Sequence, residues 1–217
     1  MTLRRSRAAF LGVLMLETRF PRVPGDVGHR ASWHMPVAYR TVRGATPQRV
    51  VRENDPTLLA PFIDAARALQ AAGAAAITTS CGFLYRYQDA LQAALDIPVW
   101  TSSLLLLREL PRPGVVTVDA ASLALDGVPA EGLAPGCALQ RTLLEDLPTL
   151  DAAAAEHETV AAAQRLVARN PQIEHVVLEC TNLPPYAAAV AHATHRPVHH
   201  LFTLVHARWA ASQSARL

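Results

Sequence analysis

Short apolar runs alternate along this chain with longer stretches in which apolar residues recur every three or four positions. The runs cover residues 9–16, 74–79, 97–101, 114–118, 173–178 and 197–202. Each is short and largely free of charge, the pattern of a strand buried on both faces. Residues 36–42 instead alternate, with Val37, Tyr39 and Thr41 against Ala38, Arg40 and Val42, and predict a further strand. Asp55-Pro56 opens a helix, with aspartate as cap and proline in the first turn. Leu58, Leu59, Phe62, Ile63, Ala66 and Leu69 then follow at helical spacing, and Gly73 closes the segment. Residues 83–95 predict a helix with Leu84, Tyr87, Leu91 and Leu95 on one face. Asp151 caps an alanine-rich helix reaching about Arg169; residues 183–193 and the stretch from Val205 onward predict two more. Residues 17–35 and 119–150, broken by Pro24, Gly25, Pro129 and Pro135, carry no clear period. Structureless stretches of that length inside a domain are usually functional or disordered. Strands alternating with helices imply parallel sheets covered on both faces, with ligands beyond the carboxyl ends of the strands.

The pattern occurs twice. Cys81 closes the run Ile77-Thr78-Thr79-Ser80, and Cys180 closes Val176-Val177-Leu178-Glu179. An offset of 99 residues relates the cysteines, and it also matches Leu84 to Leu183, Tyr87 to Tyr186, Ala90 to Ala189 and Pro98 to Pro197. A shared offset indicates two copies of one strand–turn–helix–strand unit. If the copies face each other, two thiols flank one cleft. That suits a reaction in which a proton leaves one face of a carbon and returns on the other.

Composition narrows the setting. With 217 residues, 51% hydrophobic and 18% charged, the chain holds one or two well-filled domains. A net charge of +2 predicts no nucleic-acid partner. Arg4, Arg5 and Arg7 precede an apolar run, but Glu17 and Arg19 close it without a small-residue cleavage site, so it reads as a strand and not as a secretion signal. No apolar stretch reaches about 18 residues, so no membrane span is expected. Three cysteines do not make a disulfide framework, and free thiols fit the cytoplasm. No glycine-rich phosphate loop and no helical His pair with a nearby acid appears, so neither nucleotide nor metal is expected.

A cysteine at a helix N-terminus feels the positive end of the macrodipole, which lowers its pKa and makes it a usable base. Removing a proton beside a carboxylate builds negative charge there, and hydrogen-bond donors must hold it. The backbone after each cysteine, at Gly82, Phe83, Thr181 and Asn182, supplies such donors. The side chains of Thr79, Ser80, Thr181 and Asn182 add to them. Arg19, in the loop after the first strand, is a candidate clamp for a substrate carboxylate, with Arg22 a weaker one. Asp26, beside Gly25, reads as a turn residue. Ser122 follows the strand at 114–118 and is a candidate polar contact. His200, near the end of the last strand, is a candidate for touching the cleft or polarising Cys180. Cys137 has no partner in the repeat and reads as structural.

The two strand-end cysteines, the near-duplication and the motif Leu178-Glu179-Cys180-Thr181-Asn182-Leu183-Pro184 resemble the aspartate/glutamate/hydantoin racemase superfamily over nearly the whole chain. The resemblance implies two similar Rossmann-like (flavodoxin-like) α/β lobes with parallel sheets, related by pseudo-two-fold symmetry, with the active site between them. It implies residues 1–100 with 204–217 as one lobe and 101–203 as the other. It further implies Cys81 and Cys180 as paired acid and base of a racemase or epimerase without pyridoxal phosphate or metal, acting on a small-molecule carboxylate, and a possible homodimer. Asn182 stands where amino-acid racemases usually carry Glu or His, and Cys81-Gly82-Phe83 where they carry Cys-Asn-Thr; the substrate is therefore left open. A cis–trans isomerase or decarboxylase of a small diacid on the same scaffold, and a non-catalytic binding protein, are the alternatives.

Overall fold

A computed structural model describes residues 9–214; the basic cluster Arg4, Arg5 and Arg7 lies outside them. Two four-stranded parallel sheets are each covered by helices. The first comprises β1 (Phe10–Met15), β2 (Val37–Thr41), β3 (Ala74–Thr79) and β4 (Val99–Trp100), in the order β2-β1-β3-β4. The second comprises β5 (Pro113–Thr117), β6 (Ala130–Gly132), β7 (His175–Leu178) and β8 (Val198–His199), in the order β6-β5-β7-β8. The same order occurs twice, as the repeat predicts, and the fold is an α/β pair of lobes. All six residues of β3 are buried, which explains a run with no polar alternation.

The helices form where local chemistry favours them. The Asp55 side chain accepts from Thr57 N and caps a 3-10 turn at Pro56–Leu58, which runs into α1 (Leu59–Ala71). Gly73, at φ +99°, then turns the chain into β3, a conformation open to glycine. After β3, a 3-10 turn at Gly82–Tyr87 leads into α2 (Gln88–Ala93). The second lobe has α3 (Ala138–Leu144) and α4 (Ala152–Arg169), the latter capped by Asp151 accepting from Ala153 N and Ala154 N. A 3-10 turn at Pro184–Tyr186 leads into α5 (Ala187–Thr194). Leu201 and Phe202, expected in the last strand, instead open α6 (Leu201–Ser214). They pack on the first sheet: Leu201, Phe202, Leu204 and Val205 share a buried cluster with Leu11, Val13, Trp33 and Trp100. The pull of that core takes the chain out of β8 after two residues.

The lobes are stitched at the strand ends. Thr181 Oγ1 donates to Ser80 O at 2.6 Å, Ser103 Oγ donates to Leu178 O at 2.8 Å, and Val27 N donates to Thr181 O at 3.4 Å. The long segment after β1 is thus held against the second cysteine motif.

Candidate active site

The cysteines occupy equivalent places. Cys81 follows β3 with Ser80 between, and Cys180 follows β7 with Glu179 between. Each is 8% exposed, and both line one cleft between the lobes. Leu16, Phe20, Val51 and Phe83 from one lobe and Leu143 and Leu144 from the other complete its apolar walls. The free volume is about 30 Å³. One water needs roughly 10–15 Å³ on that scale, so the closed cleft admits about two. A substrate of several heavy atoms requires the walls to part.

Charge in this cleft differs from the expected arrangement. The Phe83 amide points at the Cys81 sulfur and the Asn182 amide at that of Cys180, and each favours thiolate. Burial outweighs them, and the nearby Glu179 carboxylate adds to burial. The Cys81 thiol is pushed up to about 12, and Cys180 is pushed well above the ordinary range. The expected lowering by a helix terminus is therefore overturned: one short 3-10 turn does not offset loss of solvent. Both thiols are protonated at rest at neutral pH.

Glu179 is 1% exposed, and burial raises its pKa from 4.5 to about 7. Its Oε2 accepts from Thr117 Oγ1 at 2.7 Å, while its buried Oε1 has no hydrogen-bond partner. The carboxyl occupies the space beside Gly82. A Cβ there would lie 2.3 Å from both the Glu179 carbonyl oxygen and Oε1, so a side chain at position 82 collides with it.

A polar chain supports Cys180. Its Sγ lies 3.5 Å from Asn182 Oδ1, to which it donates, and Asn182 Nδ2 donates to Asp26 Oδ2. Asp26 Oδ1 accepts from Arg22 Nη1 at 3.1 Å, and Arg22 Nη2 donates to Thr18 Oγ1 at 2.9 Å. Asp26 is 2% exposed, and burial raises its pKa against the pull of Arg22. Asp26 is the turn residue expected, its Oδ1 accepting from Gly28 N at 2.5 Å, and the loop also carries it across to the second motif. Gly25, at φ +93°, makes that approach possible, packing against Pro185.

The other expected site residues divide. Ser80, Gly82, Phe83, Thr181 and Asn182 line the cleft. Ser80 Oγ accepts from Leu16 N at 2.9 Å. Thr79 is buried behind it, its hydroxyl donating to Thr101 O at 2.7 Å with Cys81 O also 2.9 Å away, so it shapes the turn and does not face the cleft. Arg19 does not reach the cleft; its exposed side chain pairs with Asp146 at 3.1 Å. Ser122 donates to Asp119 Oδ2 at 2.8 Å and lines a separate depression with Arg52 and Arg86. His200 lines another depression with His34 and His206 and is not among the residues lining the cysteine cleft. Sequence reasoning missed Glu179, Thr117 and the Arg22–Asp26 pair. Glu179 did carry a signal, being a charge at the last position of a buried run. Among the described residues, no group of three or more His, Cys, Asp or Glu is placed to hold a metal, and no helix is long and apolar enough to cross a membrane.

No family model matches the chain. A dimethylsulfoniopropionate lyase of Durusdinium sp. clade D is 30% identical over 213 residues, which are 88% of this chain and 71% of that protein. The chain belongs to the dimethylsulfoniopropionate lyase family. Dimethylsulfoniopropionate lyase 7 of Emiliania huxleyi is 33% identical over 218 residues, 87% of this chain, and the chain spans only 62% of that lyase's length. Among solved structures, allantoin racemase from Klebsiella pneumoniae matches 94% of the chain and 89% of its own, with a TM-score of 0.62 and 13% identity. Unliganded arylmalonate decarboxylase matches 88% of the chain and 86% of its own, with a TM-score of 0.58 and 19% identity. The chain therefore shares its fold with solved structures of racemases and of a decarboxylase. The lyase name stands nearer to the decarboxylase alternative than to racemisation.

Proposed function

We propose that this chain is a cofactor-independent lyase that removes the proton beside the carboxylate of a small acid and expels a leaving group from the next carbon. Dimethylsulfoniopropionate is the substrate its relatives' name supports. The observation that carries this reading is the pair of thiols, Cys81 and Cys180, lining one closed apolar cleft.

One cysteine, as thiolate, takes the proton from the carbon beside the carboxylate. The carbon–hydrogen pair becomes the carbon–carbon double bond. The bond from the β-carbon to sulfur breaks, and sulfur keeps that pair. Dimethylsulfoniopropionate thereby yields acrylate and neutral dimethyl sulfide, with the proton on cysteine. Racemisation shares the first step; the outcomes diverge when the carbanion is reprotonated by the second thiol or sheds its β-substituent. Backbone amides after the two cysteines stabilise thiolate and the charge building on the substrate carboxylate. A strongly basic thiolate suits a weakly acidic carbon, and apolar walls keep water from quenching it.

The test is incubation of the protein with dimethylsulfoniopropionate in deuterated buffer, following dimethyl sulfide in the headspace and acrylate by proton NMR. Equal amounts of both are expected. Recovery of substrate carrying deuterium beside the carboxylate, without sulfide, would replace elimination by proton exchange alone; unchanged substrate would overturn the reading.

A further inference from the structure

The elimination described above makes no use of Glu179, yet this carboxyl is the least satisfied polar group of the cleft. Thr117 takes Oε2, while Oε1 is buried without a partner. Among the described residues, no arginine or histidine lies within ion-pair distance of it. Unpaired buried carboxylates are costly, and their retention needs an explanation. The surrounding walls, Leu16, Phe20, Phe83 and Leu143, offer apolar contact and no competing charge. A negative charge with a free oxygen inside an apolar pocket fits a cation that carries methyl groups in place of hydrogen-bond donors.

We propose that Glu179 is the binding residue for a positively charged, methyl-bearing substituent on the β-carbon of the substrate, so that the cleft selects onium carboxylates over neutral ones. This rests on the lyase reading and adds to it the residue that holds the charged end of the substrate. The groups facing Glu179 are the Thr117 hydroxyl and the thiols of Cys81 and Cys180, with Arg86 acting from farther away. A cation seated among them offsets the carboxylate charge that helps hold both thiols protonated. The substrate therefore raises the thiolate population of its own base. When the sulfonium leaves as neutral sulfide, that attraction ends, which favours release.

Binding measured without turnover tests this. Isothermal titration with 3-(trimethylammonio)propionate and with 4,4-dimethylpentanoate compares carboxylates of matching shape, one with a cationic tail and one with an uncharged tail. Wild type binds the ligand with the cationic tail about ten-fold more tightly or better. Glu179→Gln loses the preference while its affinity for 4,4-dimethylpentanoate stays within about two-fold. Equal affinities in wild type, a preference surviving in Glu179→Gln, or failure of both ligands to bind wild type overturns the proposal. If the variant does not fold, wild type alone decides: the preference must grow between pH 6 and 8 as Glu179 ionises, and a flat ratio sinks it. Absence of dimethyl sulfide formation alongside a charge-dependent preference would instead reject the lyase reading and leave the cation site standing.

Discussion

Cys81 and Cys180 end equivalent strands, yet the residues flanking them differ in kind. Before Cys81 stands Ser80, a small hydroxyl accepting from Leu16 N; before Cys180 stands Glu179, a carboxyl held by Thr117. After Cys81 come Gly82 and Phe83, which build an apolar wall. After Cys180 come Thr181, which bonds to the opposite turn, and Asn182, which begins the chain to Asp26 and Arg22. The duplication delivered two thiols to one cleft, and the neighbours made them unlike. The first cysteine turn supplies a hydroxyl and an apolar wall, and the second supplies the carboxyl of Glu179.

The comparison is broken most severely by removing the thiols. Cys81→Ser and Cys180→Ser should each lower the steady-state rate of dimethyl sulfide release by about 10²-fold or more, the usual range for an acid or base. A mild loss at one position would mean that the two halves do not both serve the chemistry.

Stability against pH separates the halves next. Glu179 has a pKa of about 7 in the fold and 4.5 as its reference, so the native state binds the extra proton between these values. Stability must fall as pH rises through that window, because ionising the buried carboxyl disfavours the fold. Glu179→Gln lacks this decline. Its stability relative to wild type should increase by about 3 kcal/mol between pH 4.5 and 8, read by urea denaturation. The matched position, Ser80, carries no titratable group.

A smaller effect tests how tightly the turns interlock. Gly82→Ala places a methyl 2.3 Å from the Glu179 oxygens and should destabilise by about 1–3 kcal/mol in thermal unfolding. The equivalent residue across the repeat, Thr181, already carries a branched side chain without strain.

Much of this architecture is legible in the sequence. Buried strands and capped helices announce themselves through local pattern, and the repeat led directly to both cysteines. β6, with three half-buried residues, and the seven-residue α3 are too short to show a period, so 119–150 stayed unread. Arg19 and Arg22 sit three residues apart in one loop; which of them turns inward depends on contacts with Thr181 and Pro185, more than 150 positions away. The direction of the thiol pKa likewise depends on desolvation by both lobes, a quantity no local motif carries.

The carboxyl of Glu179 fills the place where a side chain at position 82 would stand. The two turns are therefore not free to diverge separately. A relative that gains a side chain at the first position must shorten the residue at the second, and one that keeps the acid must keep the glycine.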